Sequence, residues 1–128
     1  MIYFKQMRIL KTKKFSNLAE DEGLTDETLR TAISEFENGL TGAALGGNLY
    51  KKRVAIGSKG KSGGLRTILV YKQADDKVFC IHLFAKQDEE NISQKALESF
   101  KLMADFMLSL DAKQISKSIE EKVLIEVS

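Results

Sequence analysis

Proline and tryptophan are absent from the 128 residues, and cysteine and histidine occur once each. Without proline there is no Pro-rich linker to divide the chain, and a compact helix-and-hairpin arrangement is expected. The lone Cys80 cannot close an internal disulfide, which fits a reducing compartment. Cys80 and His82 stand two residues apart, but a metal site of the zinc type needs three or four ligands, and no second cysteine or histidine can supply them. No metal and no cofactor is therefore expected. No apolar run approaches the roughly 18 residues of a membrane span. The first residues carry Lys5 and no apolar signal core. The chain reads as a cytoplasmic protein with no membrane partner. Its composition, 43% hydrophobic and 30% charged, is that of an ordinary globular protein. Its length suits one domain, residues 1–128, with a core of its own.

Net charge is only +2, but it is unevenly spread. From Asn48 to Lys86 there are nine basic residues (Lys51, Lys52, Arg53, Lys59, Lys61, Arg66, Lys72, Lys77 and Lys86) and two acids, Asp75 and Asp76. This segment carries +7 and the rest of the chain −5. A concentrated positive region in a nearly neutral protein is the electrostatic footprint of a phosphate-bearing partner.

The pattern of residues predicts an α+β chain. Met1–Ile9 reads as a first strand. Lys13–Glu22 places Phe15, Leu18 and Ala19 on one helical face and stops at Gly23. Thr25 is an N-cap for a second helix, with Asp26 and Glu27 in its first turn and Leu29, Ala32, Ile33, Phe36 and Leu40 at helical spacing. Gly39 suits a left-handed cap. The two helices form a hairpin. Residues 41–48 read as a flexible connector. Three strands follow, about 49–56, 65–73 and 77–86, antiparallel because their connections are short. Ala74-Asp75-Asp76 makes the second turn. Asn91 is expected to cap a long helix striped by Ile92, Ala96, Phe100, Met103, Ala104 and Met107. A short helix over 114–121 and a short strand over 122–127 complete the chain.

Strict alternation in the third central strand puts Phe79, Ile81, Leu83 and Ala85 on one face and Cys80, His82, Phe84 and Lys86 on the other. The first set is the expected core face beneath the helices. The second set leaves an imidazole, an aromatic ring and an ammonium on an open face. Lys51 and Arg53 share a side of the first central strand, about 7 Å apart. The picture is a sheet with helices on one face and a wet, cationic surface on the other.

The segment Ala55–Ser62 matches a relaxed phosphate-loop pattern with alanine in place of the first glycine. A true phosphate loop opens a helix whose terminal amides hold the phosphates. Here Gly63-Gly64 and the run Leu65-Arg66-Thr67-Ile68-Leu69-Val70 follow, a poor helix. The segment reads better as a basic loop between strands, and nucleotide hydrolysis is set aside. Lys51-Lys52-Arg53 alone could be a charged edge that blocks aggregation. The addition of Arg66 and Lys86 from neighbouring strands favours a binding surface. Such a surface suits RNA, which carries its own nucleophile, the 2′-hydroxyl. Cleavage by 2′-oxygen attack needs a base, an acid, and positive charge on the phosphorane. Arginine supplies a planar two-bond clamp for phosphate, while lysine or histidine can move protons.

The motifs Leu49-Tyr-Lys-Lys-Arg-Val-Ala55, Gly60-Lys-Ser-Gly-Gly-Leu-Arg66 and Phe84-Ala-Lys86 followed by Asn91-Ile92 resemble the RelE/HigB-type toxins of bacterial type II toxin–antitoxin modules. The close match covers about residues 45–95, and the order of elements agrees over nearly the whole chain. The resemblance implies a small RelE-like fold, a twisted antiparallel sheet with an N-terminal helical hairpin and a C-terminal helix packed on one face. It implies a metal-independent mRNA endonuclease that works in the ribosome, inhibits translation and arrests growth. It also implies a cognate antitoxin, of helix-turn-helix type, through which DNA is met only indirectly. Carried over by position, Arg66 is the phosphate clamp. Lys51 or Arg53 serves transition-state stabilisation or proton transfer, and Lys86 is a second clamp. His82 is a further acid or base candidate, and Lys52, Lys59 and Lys61 are expected to meet RNA. Many relatives use a C-terminal tyrosine or histidine in proton transfer. This chain has no tyrosine after Tyr71 and no histidine after His82. The same fold hosts ParE-type toxins, which poison DNA gyrase. A non-catalytic RNA-binding module on this fold is the other alternative.

Overall fold

The computed structural model describes residues 7–56, 64–86 and 92–128. Among them the order is β1 (Arg8–Thr12), α1 (Lys13–Glu22), α2 (Asp26–Glu37), β2 (Ala43–Gly46), β3 (Leu49–Val54), β4 (Leu65–Val70), β5 (Lys77–Ala85), α3 (Gln94–Leu108), α4 (Ala112–Glu120) and β6 (Leu124–Val127). The strands form a mostly antiparallel sheet in the order β2-β3-β4-β5-β1-β6, and β1 runs parallel to β5. The chain is α+β, as the sequence implies.

Local chemistry accounts for the helix ends. Thr12 closes β1 and caps α1, its hydroxyl accepting from the Phe15 amide at 3.1 Å. Thr25 does the same for α2. The end of α2 is closed by Gly39 at φ 95°, with the Leu40 amide donating to Glu35, a geometry that glycine enters without steric cost. The α3 cap is Ser93, accepting from the Ala96 amide. The expected cap, Asn91, lies outside the described residues. Asp111 and Gln114 exchange hydrogen bonds in a capping box that starts α4.

The helices lie on both sides of the sheet rather than on one. Phe15, Ala19, Leu29, Ile33 and Phe36 of α1 and α2 pack with Ile9, Val54, Leu65, Leu69, Val78 and Cys80. Ala104, Met107 and Ile115 of α3 and α4 pack with Leu10, Leu49, Ile68, Val70, Phe79 and Ile81. All six residues of β4 are buried, because a central strand covered on both faces needs apolar groups on both. Two other expectations change. The first described strand is Arg8–Thr12, and residues 1–6 of the expected Met1–Ile9 strand lie outside the described residues. The connector at 41–48 contains β2, an edge strand turned back onto β3 through Gly46-Gly47-Asn48, all three at positive φ.

Candidate nucleic-acid interface

Three consecutive cations on β3 go to two different sides. Leu49 belongs to the α3–α4 core and Val54 to the α1–α2 core, so alternation carries Lys51 and Arg53 to the α3 side and Lys52 to the α2 side. Lys52 is 4% exposed, and its Nζ donates to Glu35 Oε1 at 2.9 Å. Lys11 of β1 is held in the same way by Asp26 at 2.8 Å. These two buried ammonium groups fasten the two ends of α2 to the sheet. Of the cations expected to meet RNA, Lys52 is thus placed away from the others, in a structural ion pair. Nothing in the sequence marks Glu35 as its partner, which is 17 residues distant. Lys59 and Lys61 lie outside the described residues.

Lys51, Arg53 and Arg66 gather on the α3 side. Arg53 pairs in register with Arg66, and Arg66 with Phe84. One row further along, Lys51 pairs with Ile68, and Ile68 with His82. Arg66 shares its side of β4 with Ile68 and Val70, which lie in the α3–α4 core. It is buried, at 2% exposure, whereas Lys51 is half-buried and Arg53 and Lys86 are exposed. Lys51 and Arg66 are both engaged by neighbouring groups. Lys86 follows the end of β5, where its amide donates to the Gly64 carbonyl at 3.3 Å. The result is a buried guanidinium at the centre of the sheet with exposed cations beside it. In a site shielded from water such a charge attracts an anion far more strongly than it would in solvent.

His82 is half-buried against two rings, with centroids 6.1 Å from Phe84 and 5.4 Å from Phe100 of α3. Burial lowers its pKa below the ordinary imidazole value, and the nearby Lys14 charge adds to the effect. Lys14 stands in the first turn of α1 and was not among the expected site residues. The strict alternation expected for β5 fails. Cys80 faces the α1–α2 core, while His82 and Phe84 face α3. Burial pushes the Cys80 thiol up to about 12. Chemically the residue is inert.

Beside the cations, a cleft of about 550 Å³ is lined by Leu40, Gly42, Ala43, Lys51, Lys52 and Arg53. Gly42 has φ 76°, and a Cβ there would fall 2.2 Å from the Lys51 carbonyl oxygen, so only glycine fits between β2 and β3. A larger cleft of about 620 Å³ lies at the β1–β6 end against α2. Its Arg8 and Glu126 neutralise each other at 2.7 Å, so its charge is internally balanced.

The chain matches, over residues 7–127, the family described as the RelE toxin of the RelE / RelB toxin–antitoxin system. It belongs to the RelE toxin family. This RelE-family protein is therefore a toxin-type chain whose family implies an antitoxin partner. No curated protein matches it. Among the described residues of this RelE-family chain, no helix is long and apolar enough to cross a membrane.

Proposed function

We propose that this RelE-family toxin is an endoribonuclease that cleaves mRNA, in the ribosome, by attack of the 2′-hydroxyl on the adjacent phosphodiester. The observation that carries the reading is the row Arg53–Arg66–Phe84, with Lys51 and His82 in the next row and Lys86 at the strand end. An RNA strand passing the strand ends at Arg53 and Lys86 meets exposed charge for its phosphates, with the Arg66 guanidinium beneath and the half-buried His82 and Phe84 rings alongside, the pairing of charge and aromatic surface that holds single-stranded RNA. Arg66 is the central clamp for the phosphate, and Arg53 and Lys86 flank it. Lys51 or Arg53 stabilises the phosphorane or moves protons. The reaction needs no cofactor. A base takes the 2′-proton as the 2′-oxygen bonds to phosphorus, the P–O5′ bond breaks, and an acid delivers a proton to the leaving 5′-oxygen. The products are a 2′,3′-cyclic phosphate and a 5′-hydroxyl end. The cognate antitoxin, of helix-turn-helix type, silences the toxin by presenting an acidic segment to this cationic surface. The chain acts in the cytoplasm as one domain.

The test is to induce the toxin under tight control and map transcript ends. New mRNA ends of the stated chemistry, appearing before growth stops, support the proposal. Intact mRNA in arrested cells refutes it, and relaxed or cleaved plasmid DNA in those cells would turn the reading to gyrase.

A further inference from the structure

The pairing of β4 with β5 slips by one residue. Ile68 is opposite His82, Leu69 is opposite Cys80, and Ile81 is left without a partner. Such a bulge inserts one residue and re-aims the side chains beyond it. On one side of the bulge, Val78 and Cys80 point to the α1–α2 core and Phe79 to the α3–α4 core. Beyond it, Leu83 and Ala85 take the α1–α2 side and Phe84 the α3 side. Ile81 and His82, though consecutive, therefore face the same way. Without the extra residue, the imidazole would enter the apolar α1–α2 core. The bulge instead sets it on the cationic side, as the diagonal neighbour of Arg66, about 7–8 Å away by cross-strand geometry.

The ring is oriented as well as aimed. Phe84 and Phe100 flank it. Its Nδ1 is enclosed and has no hydrogen-bond partner among the described residues. An enclosed, unpaired N–H is rarer and costlier than an enclosed, unused acceptor. The arrangement therefore favours a lone pair on Nδ1 and the proton on Nε2. Protonating both nitrogens would bury an unpaired Nδ1–H near Lys14, and burial together with that charge disfavours the cation. A neutral donor suits a place already crowded with positive charge, since it adds a hydrogen bond without adding repulsion. The same tautomer removes His82 from proton abstraction, because the nitrogen that would accept the proton already holds one.

We propose that His82, aimed by the β5 bulge, is a neutral phosphate-binding residue that donates Nε2–H to an oxygen of an RNA phosphodiester held beside Arg66. The inference rests on the ribonuclease reading of this surface and assigns His82 to binding rather than to acid–base work.

His82 is the chain's sole histidine, so its nitrogen resonances are unambiguous. Long-range proton–nitrogen spectra of the free protein at neutral pH should show a pyrrole-type Nε2 and a pyridine-type Nδ1. A single-stranded 2′-O-methyl RNA oligonucleotide, which cannot be cleaved, should then shift Nε2 on binding. His82→Phe keeps the ring contacts and lacks the donor, and should weaken binding about ten- to a hundredfold, while His82→Gln keeps a donor and should stay within about threefold. An Nδ1–H tautomer, an imidazolium at neutral pH, or equal affinities for both variants would overturn the proposal while leaving the ribonuclease reading standing. Failure of the wild-type protein to bind the oligonucleotide, free or in a ribosome complex, would overturn the proposal, while the mapping of transcript ends decides the ribonuclease reading by itself.

Discussion

Lys52 and Arg53 are neighbours on one strand, carry the same charge, and have opposite fates. Lys52 is buried on the α2 side and neutralised by Glu35. Arg53 is exposed on the α3 side, in register with Arg66, and has no partner among the described residues. A basic run in a strand is thus two populations of charge, divided by the pleat. Every second cation is available to stabilise the fold and the others to meet a ligand. The same division separates Cys80 from His82 on β5, where a bulge rather than alternation sets the outcome.

The largest effect is expected at the buried member of the cationic row. Arg66→Ala should lower RNA cleavage by roughly 10²–10³, the usual cost of losing one donor to a developing anion. Single-turnover cleavage of a ribosome-bound message is the measurement. Arg66→Lys keeps the charge but not the planar fork, and should recover only part of the loss.

The opposite side should respond in stability. Lys52→Met removes the buried ammonium and with it one ion-pair contact of Glu35, which is 29% exposed. Since Glu35 regains some water, the cost should be about 1–2 kcal/mol rather than the larger value of a fully buried broken pair. Urea denaturation followed by circular dichroism measures it. Cleavage per folded molecule should not change.

Some of this was legible in the residues and some was not. The first two helices were, because Phe15, Leu18 and Ala19 share one face of the first, Leu29, Ala32, Ile33 and Phe36 recur at helical spacing in the second, and Thr25 caps the second. Alternation put Lys51 and Arg53 on one side of the first central strand, and the charge count added Arg66 from its neighbour; the register that sets Arg53 opposite Arg66 is visible only in the structure. The bulge was not, since no residue at 81 or 82 announces it, and it displaced the expected face of Cys80. The second helical layer was misjudged although a signal for it existed. Ile68-Leu69-Val70 is a continuous apolar run, which a strand covered on both faces requires. The partner of Lys52 and the parallel pairing of β1 with β5 depend on contacts between distant segments, and local pattern does not encode them. β2 was hidden because Ala43-Ala44-Leu45-Gly46 has neither β-branched residues nor alternation.

Cys80 and His82 sharpen the contrast on β5. With the Cys80 thiol pushed up to about 12 and fully enclosed, alkylation by iodoacetamide at neutral pH should proceed only through opening of the sheet. Its rate should rise in parallel with destabilisation by Lys52→Met. Rapid labelling of the native protein would mean that the α1–α2 side is not closed.

A smaller effect concerns pH. The folded-state pKa of His82 lies below its ordinary value of 6.5. Below pH 6.5 the unfolded chain therefore binds more protons than the folded one, and stability falls as pH drops through this range toward the folded value. Above 6.5 the contribution is fully present. Thermal melts of wild type against His82→Phe between about pH 7.5 and about 5 should show this slope in the wild type and a flatter one in the variant.

The division of charge on β3 is tested most directly by mapping mRNA ends after induction of Arg53→Ala and of Lys52→Met, at matched levels of folded protein. The expected result is that Lys52→Met still cuts messages to cyclic-phosphate ends while Arg53→Ala cuts them at a rate reduced by about tenfold or more. Undiminished cutting by Arg53→Ala together with loss of cutting by Lys52→Met would contradict the account.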